Sequence, residues 1–137
     1  MTNIRASLAV AAMGLSLAAG AHAGQLWPSS VVGTWHAVAN QSPLTINISS
    51  QAATGKCRQI AGTIVDNIGG GTSNLLGFYC PTSGRFHFVR NDAASRVTYQ
   101  DYSGNVSDIG RRLYMGGIFA EVFTPTNVGE YSFQASK

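Results

Sequence analysis

Charged residues are scarce in this chain of 137 residues. Only 11% of them are Asp, Glu, Lys or Arg, and the formal net charge is +3. The charges are scattered, and Arg111 and Arg112 form the single adjacent pair of basic residues. A nucleic-acid-binding domain presents a basic stripe or patch, and an acidic membrane surface attracts clustered basic residues. The composition therefore gives no basis for either kind of partner.

Cysteine and histidine are too few and too widely spaced for most metal or redox chemistry. The two cysteines, Cys57 and Cys80, form no Cys-x-x-Cys pair, the spacing that thiol redox sites use. After residue 23 the histidines are His36 and His87, and none of these four side chains has the close spacing of a zinc site. A metal pair is thus the less favoured alternative, and we expect neither a metal nor a cofactor. In an oxidising compartment two cysteines predict a disulfide, which would close a loop of about 24 residues and stabilise the fold by about 3 kcal/mol.

No apolar run is long enough to cross a membrane as a helix. The longest, residues 6–20, follows a short start that carries Arg5 and precedes Ala21-His22-Ala23. This order is typical of a bacterial Sec-type signal peptide with an A-x-A cleavage site, and an N-terminal membrane anchor is the alternative. We therefore predict a cleaved signal peptide over residues 1–23, a single domain over residues 24–137, and a periplasmic or secreted protein.

The rest of the chain is a series of short strand signals separated by turn residues, with no convincing helix. Alternation of apolar and polar residues, as in Leu44-Thr45-Ile46, indicates half-buried strands. Short connections between them favour antiparallel neighbours in an up-and-down order. Eight strands are enough to close a barrel with room for side chains or one small ligand. We predict an eight-stranded antiparallel up-and-down β-barrel, with a two-sheet β-sandwich as the alternative. The predicted strands cover residues 33–39, 44–49, 57–66, 74–80, 85–90, 96–102, 112–123 and 130–135.

Strand parity predicts which side chains point into the barrel. If Trp35, Phe86 and Phe88 point inward, His36 and His87 point to solvent. In the seventh strand we expect a bulge or bend at Gly116-Gly117, which would reset the parity of Glu121. The alternative is that Glu121 shares the parity of Phe119 and Phe123 and points inward, where it would need a partner such as Arg90. The remaining carboxylates lie mostly in or beside turns. Because no nucleophile, base and orienting group come together, and no pair of carboxylates does, we expect no enzyme.

Gly33 and Trp35 are the predicted structural residues of the first strand. A glycine lets the chain enter a barrel closely, and a tryptophan ring closes one end while its N–H still needs a partner. The sequence therefore favours a barrel with a closed floor and an open mouth.

Six short motifs follow one another along the chain in the order of the predicted strands. They are Gly33-Thr34-Trp35, Leu44-Thr45-Ile46, Ala61-Gly62-Thr63-Ile64, Phe86-His87-Phe88-Val89, Tyr102-Ser103-Gly104-Asn105 and Tyr131-Ser132-Phe133. Together they resemble the avidin and streptavidin family over nearly all of the predicted domain. The resemblance implies an eight-stranded antiparallel barrel, often tetrameric, that binds biotin inside its open end. A homo-oligomer is accordingly an expectation from the resemblance.

The resemblance also assigns candidate ligand-binding residues. The serine of the family's first loop, which meets the ureido group of biotin, matches Ser42. The tryptophan of its fifth strand falls near Arg90, the aromatic residue of its sixth strand matches Tyr102 in type, and the acidic or amide residue of its last strand falls near Tyr131. We therefore predict that Ser42, Arg90, Tyr102 and Tyr131 line a pocket.

The biotin site itself departs from the family's pattern. Ala37 stands where the family has asparagine, and Ile64 stands where it has tyrosine. The sequence holds two tryptophans, Trp27 and Trp35, so the aromatic box around biotin is incomplete. A buried ureido carbonyl needs several converging hydrogen-bond donors. The resemblance therefore supports the barrel fold more strongly than it supports biotin binding.

Two function classes remain open at this stage. One is an exported, non-enzymatic protein that binds a small molecule, biotin-like or of another kind, in the open end of the barrel. The other is a periplasmic or secreted protein-interaction module, such as an inhibitor or an envelope-assembly factor, whose interior is simply packed.

Overall fold

A computed structural model describes residues 27–122 and 129–137. The predicted signal peptide and its cleavage site lie outside the described residues, and so does Phe123, the predicted end of the seventh strand. The described part contains no helix that is long and apolar enough to cross a membrane.

Eight antiparallel strands form one closed barrel in sequence order, and the described residues include no helix. This confirms the predicted up-and-down barrel, and the sandwich alternative is wrong. The strands are β1 (Gly33–Ala39), β2 (Ser42–Gln51), β3 (Arg58–Asp66), β4 (Thr72–Cys80), β5 (Arg85–Asp92), β6 (Thr98–Ile109), β7 (Arg112–Glu121) and β8 (Glu130–Ser136).

The first and last strands close the barrel. Their ladder runs from the pair His36–Ser136 to the pair Ala39–Phe133, and it is the shortest ladder of the described barrel. Both strands alternate strictly at this seam, because Ala37 and Ala135 face the core while Val38 and Gln134 face outward. Small alanine side chains on the inner side let the two strands meet without displacing the core.

Two glycine motifs behave differently from the sequence prediction. β6 does not end near Gly104 but continues to Ile109, and Gly104 lies opposite Gly117 of β7. A Cβ on Gly104 would come within 2.1 Å of the carbonyl oxygen of Gly116, so the glycine permits close approach and does not form a turn. The predicted bend at Gly116-Gly117 is also wrong, because the β6–β7 ladder runs through it without a register shift.

Stacked aromatic rings fill the middle of the barrel. The ring of Tyr102 stacks on Phe88 and on Phe119, with centroid distances of 4.9 Å and 5.1 Å. Phe133 meets Tyr102 edge-on at 5.1 Å, and Tyr131 lies 5.3 Å from Phe119. Offset and edge-on pairs of this kind add to the free energy of area burial. The interior at this level is therefore packed with side chains.

The floor of the barrel is closed by Trp35 and by the segment that precedes β1. Trp35 is fully buried, and its indole N–H donates a hydrogen bond of 2.9 Å to the carbonyl of Val31. The Tyr79 hydroxyl donates to the carbonyl of Pro28 at 2.6 Å. Gln51 accepts from the Val31 N–H and donates to the Ser29 carbonyl. These bonds hold residues 28–31 across the floor, and we call these residues the floor segment.

Gly33 is the first residue of β1. Its φ of 134° is one that side-chain-bearing residues rarely adopt. This geometry lets the chain turn from the floor segment into β1, next to the Lys137 ammonium group, which lies 5.0 Å from the Trp35 ring.

A disulfide joins Cys57 and Cys80, as predicted. Cys57 precedes the first residue of β3 and Cys80 is the last residue of β4, so the bond ties these strands at the floor end. A disulfide is typical of proteins that fold in an oxidising compartment.

We expect the double substitution Cys57→Ser and Cys80→Ser to lower the free energy of unfolding by about 3 kcal/mol, because the bond restricts the unfolded chain. Urea denaturation of the oxidised protein and of the double variant measures the difference. Equal midpoints and slopes for the two would contradict this role of the bond.

Gly117→Ala should destabilise the protein by about 1–3 kcal/mol, because a Cβ there would come within 2.0 Å of the Ser103 carbonyl oxygen. Gly71→Ala is the matched control, since a Cβ at that loop position has no atom within 4 Å. Its effect should stay within about 0.5 kcal/mol. Equal effects in denaturation experiments would show that close approach at Gly117 is not what requires glycine.

Candidate functional site

The end of the barrel opposite the floor differs from it in chemistry. Here β1, β3, β5 and β7 end while β2, β4, β6 and β8 begin. Arg90, Gln100 and Glu121 lie side by side in one row across β5, β6 and β7, because Arg90 pairs with Gln100 and Gln100 pairs with Glu121. They share the inward parity of the aromatic row that lies one step deeper. We call this end of the barrel the mouth.

Arg90 is the centre of a hydrogen-bonded group in the mouth. Its Nε donates to the Ser73 hydroxyl at 3.0 Å, and its Nη1 donates to Oε1 of the Gln100 side chain at 3.1 Å. The Tyr102 hydroxyl donates to the same Gln100 oxygen at 2.8 Å. The hydroxyls of Ser73 and Tyr99 also bond to each other. We call these five residues the Arg90 network.

The Arg90 charge is buried without a direct counter-charge in the described part of the chain. The residue is 8% exposed, and no carboxylate oxygen of residues 27–122 and 129–137 lies within 4.0 Å of its nitrogens. Its guanidinium carbon lies 5.1 Å from the centroid of the Tyr99 ring, which provides a cation–π contact. Arginine remains charged in proteins, so the network holds a cation among neutral partners.

Two carboxylates lie at the same end but are held away from Arg90. Asp66 accepts hydrogen bonds from the backbone N–H groups of Ile68 at 2.8 Å and Gly69 at 3.0 Å. Those bonds, from Gly69 first and then Ile68, hold the pKa of Asp66 below its usual value, and the Arg90 charge acts weakly in the same direction. Glu121 is half-buried at the end of β7 and is separated from Arg90 by Gln100 in the row.

Tyr102 is the deepest member of the Arg90 network and has no exposed surface. Burial raises the pKa of its hydroxyl to about 12, and the nearby Arg90 charge opposes this shift. The hydroxyl group is therefore neutral at physiological pH and donates a hydrogen bond to the side-chain oxygen of Gln100. Because the ring is covered, Tyr102 supports the mouth from below.

The four residues predicted to line a pocket all lie at the mouth end, but they are not equally connected. Arg90 and Tyr102 are joined through Gln100. Tyr131, near the start of β8, is partly exposed and packs on Phe119. Ser42, the first residue of β2, is partly exposed and pairs with Ala39.

Three members of the Arg90 network were missed at the sequence level: Ser73, Tyr99 and Gln100. Gln100 shares strand parity with Tyr102, so alternation alone places it inward. Arg90 pairs with Gln100 at the end of an uninterrupted ladder that begins at the pair Arg85–Asn105. This register is a property of the assembled sheet, and no sequence pattern marks it. Ser73 lies within β4 two residues before the buried Leu75, outside the predicted strand that began at residue 74.

The positions where the sequence departs from the avidin pattern are apolar and point inward. Ala37 is 5% exposed and Ile64 is fully buried. Neither side chain offers a hydrogen bond to a ligand.

The two histidines lie on the outer surface, as predicted from parity. His87 is paired with Asp101 at 2.6 Å, and both side chains are more than a third exposed. Ser103 is opposite His87 in register, but no hydrogen bond joins its hydroxyl to the imidazole in the described residues. The described residues also contain no group of three or more His, Cys, Asp or Glu side chains that could hold a metal ion.

The pH dependence of stability should report the burial of Tyr102. A tyrosine whose folded-state pKa is raised from 10.0 to about 12 contributes stability that is complete below pH 10 and is lost as the pH rises toward about 12. Urea denaturation between about pH 9 and about pH 12 should show this loss in the wild type.

Tyr79, whose pKa burial also raises to about 12, contributes part of the same loss. Tyr102→Phe should therefore reduce it but not abolish it. Tyr114→Phe, on the exposed outer surface of β7, is the control and should retain the wild-type slope. If Tyr102→Phe had the same slope as the wild type, the hydroxyl would not be buried as described.

Comparison with known proteins adds no family to this description: no protein-family model matches the chain, and no curated protein matches its sequence.

Proposed function

We propose that this protein is an exported, non-enzymatic binding protein that holds a small polar molecule in the open end of an avidin-like barrel. The observation that carries the proposal is the difference between the two ends. One end is sealed by Trp35 and the floor segment, while the other presents the Arg90 network. Binding sites in barrels of this size typically lie at the mouth. Polar side chains buried there cost free energy of folding, which a binding role would explain.

Export is part of the proposal. The N-terminal pattern of residues 1–23 is typical of a Sec-type signal, and the Cys57–Cys80 disulfide agrees with an oxidising compartment. A periplasmic protein and a secreted protein would both have these features.

The ligand occupies a shallow site in this proposal. The aromatic rings of Phe88, Tyr102 and Phe119 fill the barrel directly below the mouth. A molecule the size of biotin would have to displace them, so biotin is a probe that we expect to bind weakly or not at all. Arg90, Ser42 and Tyr131 are the proposed contacts, and Tyr102 acts through Gln100.

A second candidate function is a protein-interaction module with a packed interior. The same aromatic packing favours it, as do large apolar side chains on the outer surface. Leu76, Phe78 and Ile118 point outward from β4 and β7 and are each more than two-fifths exposed. Single exposed apolar residues are ordinary on protein surfaces, so this candidate rests on their combination with a filled core.

Thermal melting of the purified exported protein tests the first function. A ligand that binds only the folded state must raise the melting midpoint. We expect at least one member of a small-metabolite panel that includes biotin to do so. Ser42→Ala and Tyr131→Phe should each reduce the shift, while the outer-surface controls Ser132→Ala and Tyr114→Phe should leave it unchanged.

A melting midpoint that no small molecule raises, together with specific retention of a protein from the native extract, would contradict small-ligand binding and support the interaction module. A shift that persists unchanged in both mouth variants would place the ligand elsewhere on the protein.

A further inference from the structure

We infer that the mouth is an anion site and that the head group it takes is a monocarboxylate. This inference rests on the proposed function and specifies its ligand. The observation behind it is the uncompensated charge of Arg90, which is 8% exposed and whose hydrogen-bond partners among residues 27–122 and 129–137 are neutral. A buried charge without a counter-charge costs several kcal/mol. A bound anion would remove much of that cost and would gain a charge-assisted hydrogen bond in return.

The guanidinium has donors left for such a ligand. An arginine side chain carries five N–H donors. Bonds to Ser73 and Gln100 use one on Nε and one on Nη1. Both hydrogens of Nη2 and the second hydrogen of Nη1 are not used by these bonds. A planar carboxylate fits the edge formed by the two terminal nitrogens, where it can accept two parallel hydrogen bonds.

Gln100 is held in the orientation that helps an anion. Its side-chain oxygen accepts hydrogen bonds from Arg90 and from Tyr102. Since both neighbours are donors, the amide oxygen must face them and the NH₂ group must face away. The NH₂ group of Gln100 is therefore a second hydrogen-bond donor beside the Arg90 guanidinium. A neutral carbonyl ligand would satisfy Gln100 but would leave the Arg90 charge uncompensated.

The surrounding acids limit how much negative charge the site accepts. Asp66 and Glu121 lie at the same end of the barrel, although neither forms an ion pair with Arg90 in the described structure. The energy of repulsion from these two carboxylates is twice as large for a dianion as for a monoanion. We therefore place monocarboxylates ahead of phosphate. The packed rings below the row admit only the head group, so the remainder of the ligand lies above it, near Tyr99 and Tyr131.

Side-chain nitrogen NMR of the ¹⁵N-arginine-labelled exported protein tests the inference. The Arg90 Nε–H signal, identified by its loss in Arg90→Gln, is followed while sodium acetate, sodium benzoate, benzamide or sodium phosphate is added at constant ionic strength. We expect saturable shifts with acetate and benzoate, and binding of neutral benzamide weaker by about tenfold or more. Phosphate above its second pKa should also bind more weakly than benzoate.

Variants separate the mouth from ordinary surface binding. Arg85→Gln removes an exposed arginine at the floor end of the same strand and should leave benzoate affinity unchanged. Glu121→Gln should tighten benzoate binding several-fold, because it removes a nearby negative charge. If Arg90→Gln does not fold, single substitutions to glutamine assign the signals of the other arginines of the predicted domain and leave the Arg90 signal by elimination; these arginines are Arg58, Arg85, Arg96, Arg111 and Arg112. The wild-type titration together with Glu121→Gln then decides between the outcomes.

The inference is overturned if Arg90 does not shift with any anion, if the anions shift only exposed arginines, or if benzamide binds as tightly as benzoate. These failures differ from a failure of the proposed function. A neutral metabolite that raises the melting midpoint and is sensitive to Ser42→Ala would preserve small-ligand binding while excluding an anion site. If no molecule perturbs any mouth residue, both proposals fall.

Discussion

The pairing of β1 with β8 is the constraint on which the rest of this molecule depends. This short ladder, from His36–Ser136 to Ala39–Phe133, turns an eight-stranded sheet into a barrel without edges. Closure creates an inside, which is why alternation along the strands buries one set of side chains. It also creates two ends. Because β1 starts and β8 ends at the floor, residues near both termini of the domain, such as Trp35 and Lys137, close the same end.

The two ends solve the problem of buried polar groups in different ways. At the floor, the Trp35 N–H and the Tyr79 hydroxyl are satisfied by backbone carbonyls of the preceding segment. At the mouth, the Arg90 network satisfies hydrogen bonds but not charge. A purely structural arginine would normally be paired with a carboxylate, since a buried cation is otherwise costly. That imbalance is what makes the mouth a functional candidate, and the stacked aromatic rings beneath it set the depth of any ligand.

Much of the fold was predictable because it follows from local pattern. The first strand was predicted with its observed ends, Gly33 and Ala39, and the inward set Phe86 and Phe88 followed from alternation. Glycine was the main source of error, because Gly104 looks the same in a sequence whether it forms a turn or allows two strands to approach. The site was only partly predictable. Arg90 was identified by position in a family resemblance, whereas its partner Gln100 is set by the register between β5 and β6, a property of the assembled sheet.

In the site we propose, the Arg90 charge lies in an open mouth and an anion from solvent can reach it. The most direct test of this claim is a crystal structure of the protein soaked in sodium iodide, since anomalous scattering locates iodide independently of the protein atoms. We expect an iodide at hydrogen-bonding distance from the terminal nitrogens of Arg90, at the mouth end of β4, β5 and β6. Iodide found only beside exposed basic residues such as Arg85 and Arg112, with the mouth closed over Arg90, would contradict it.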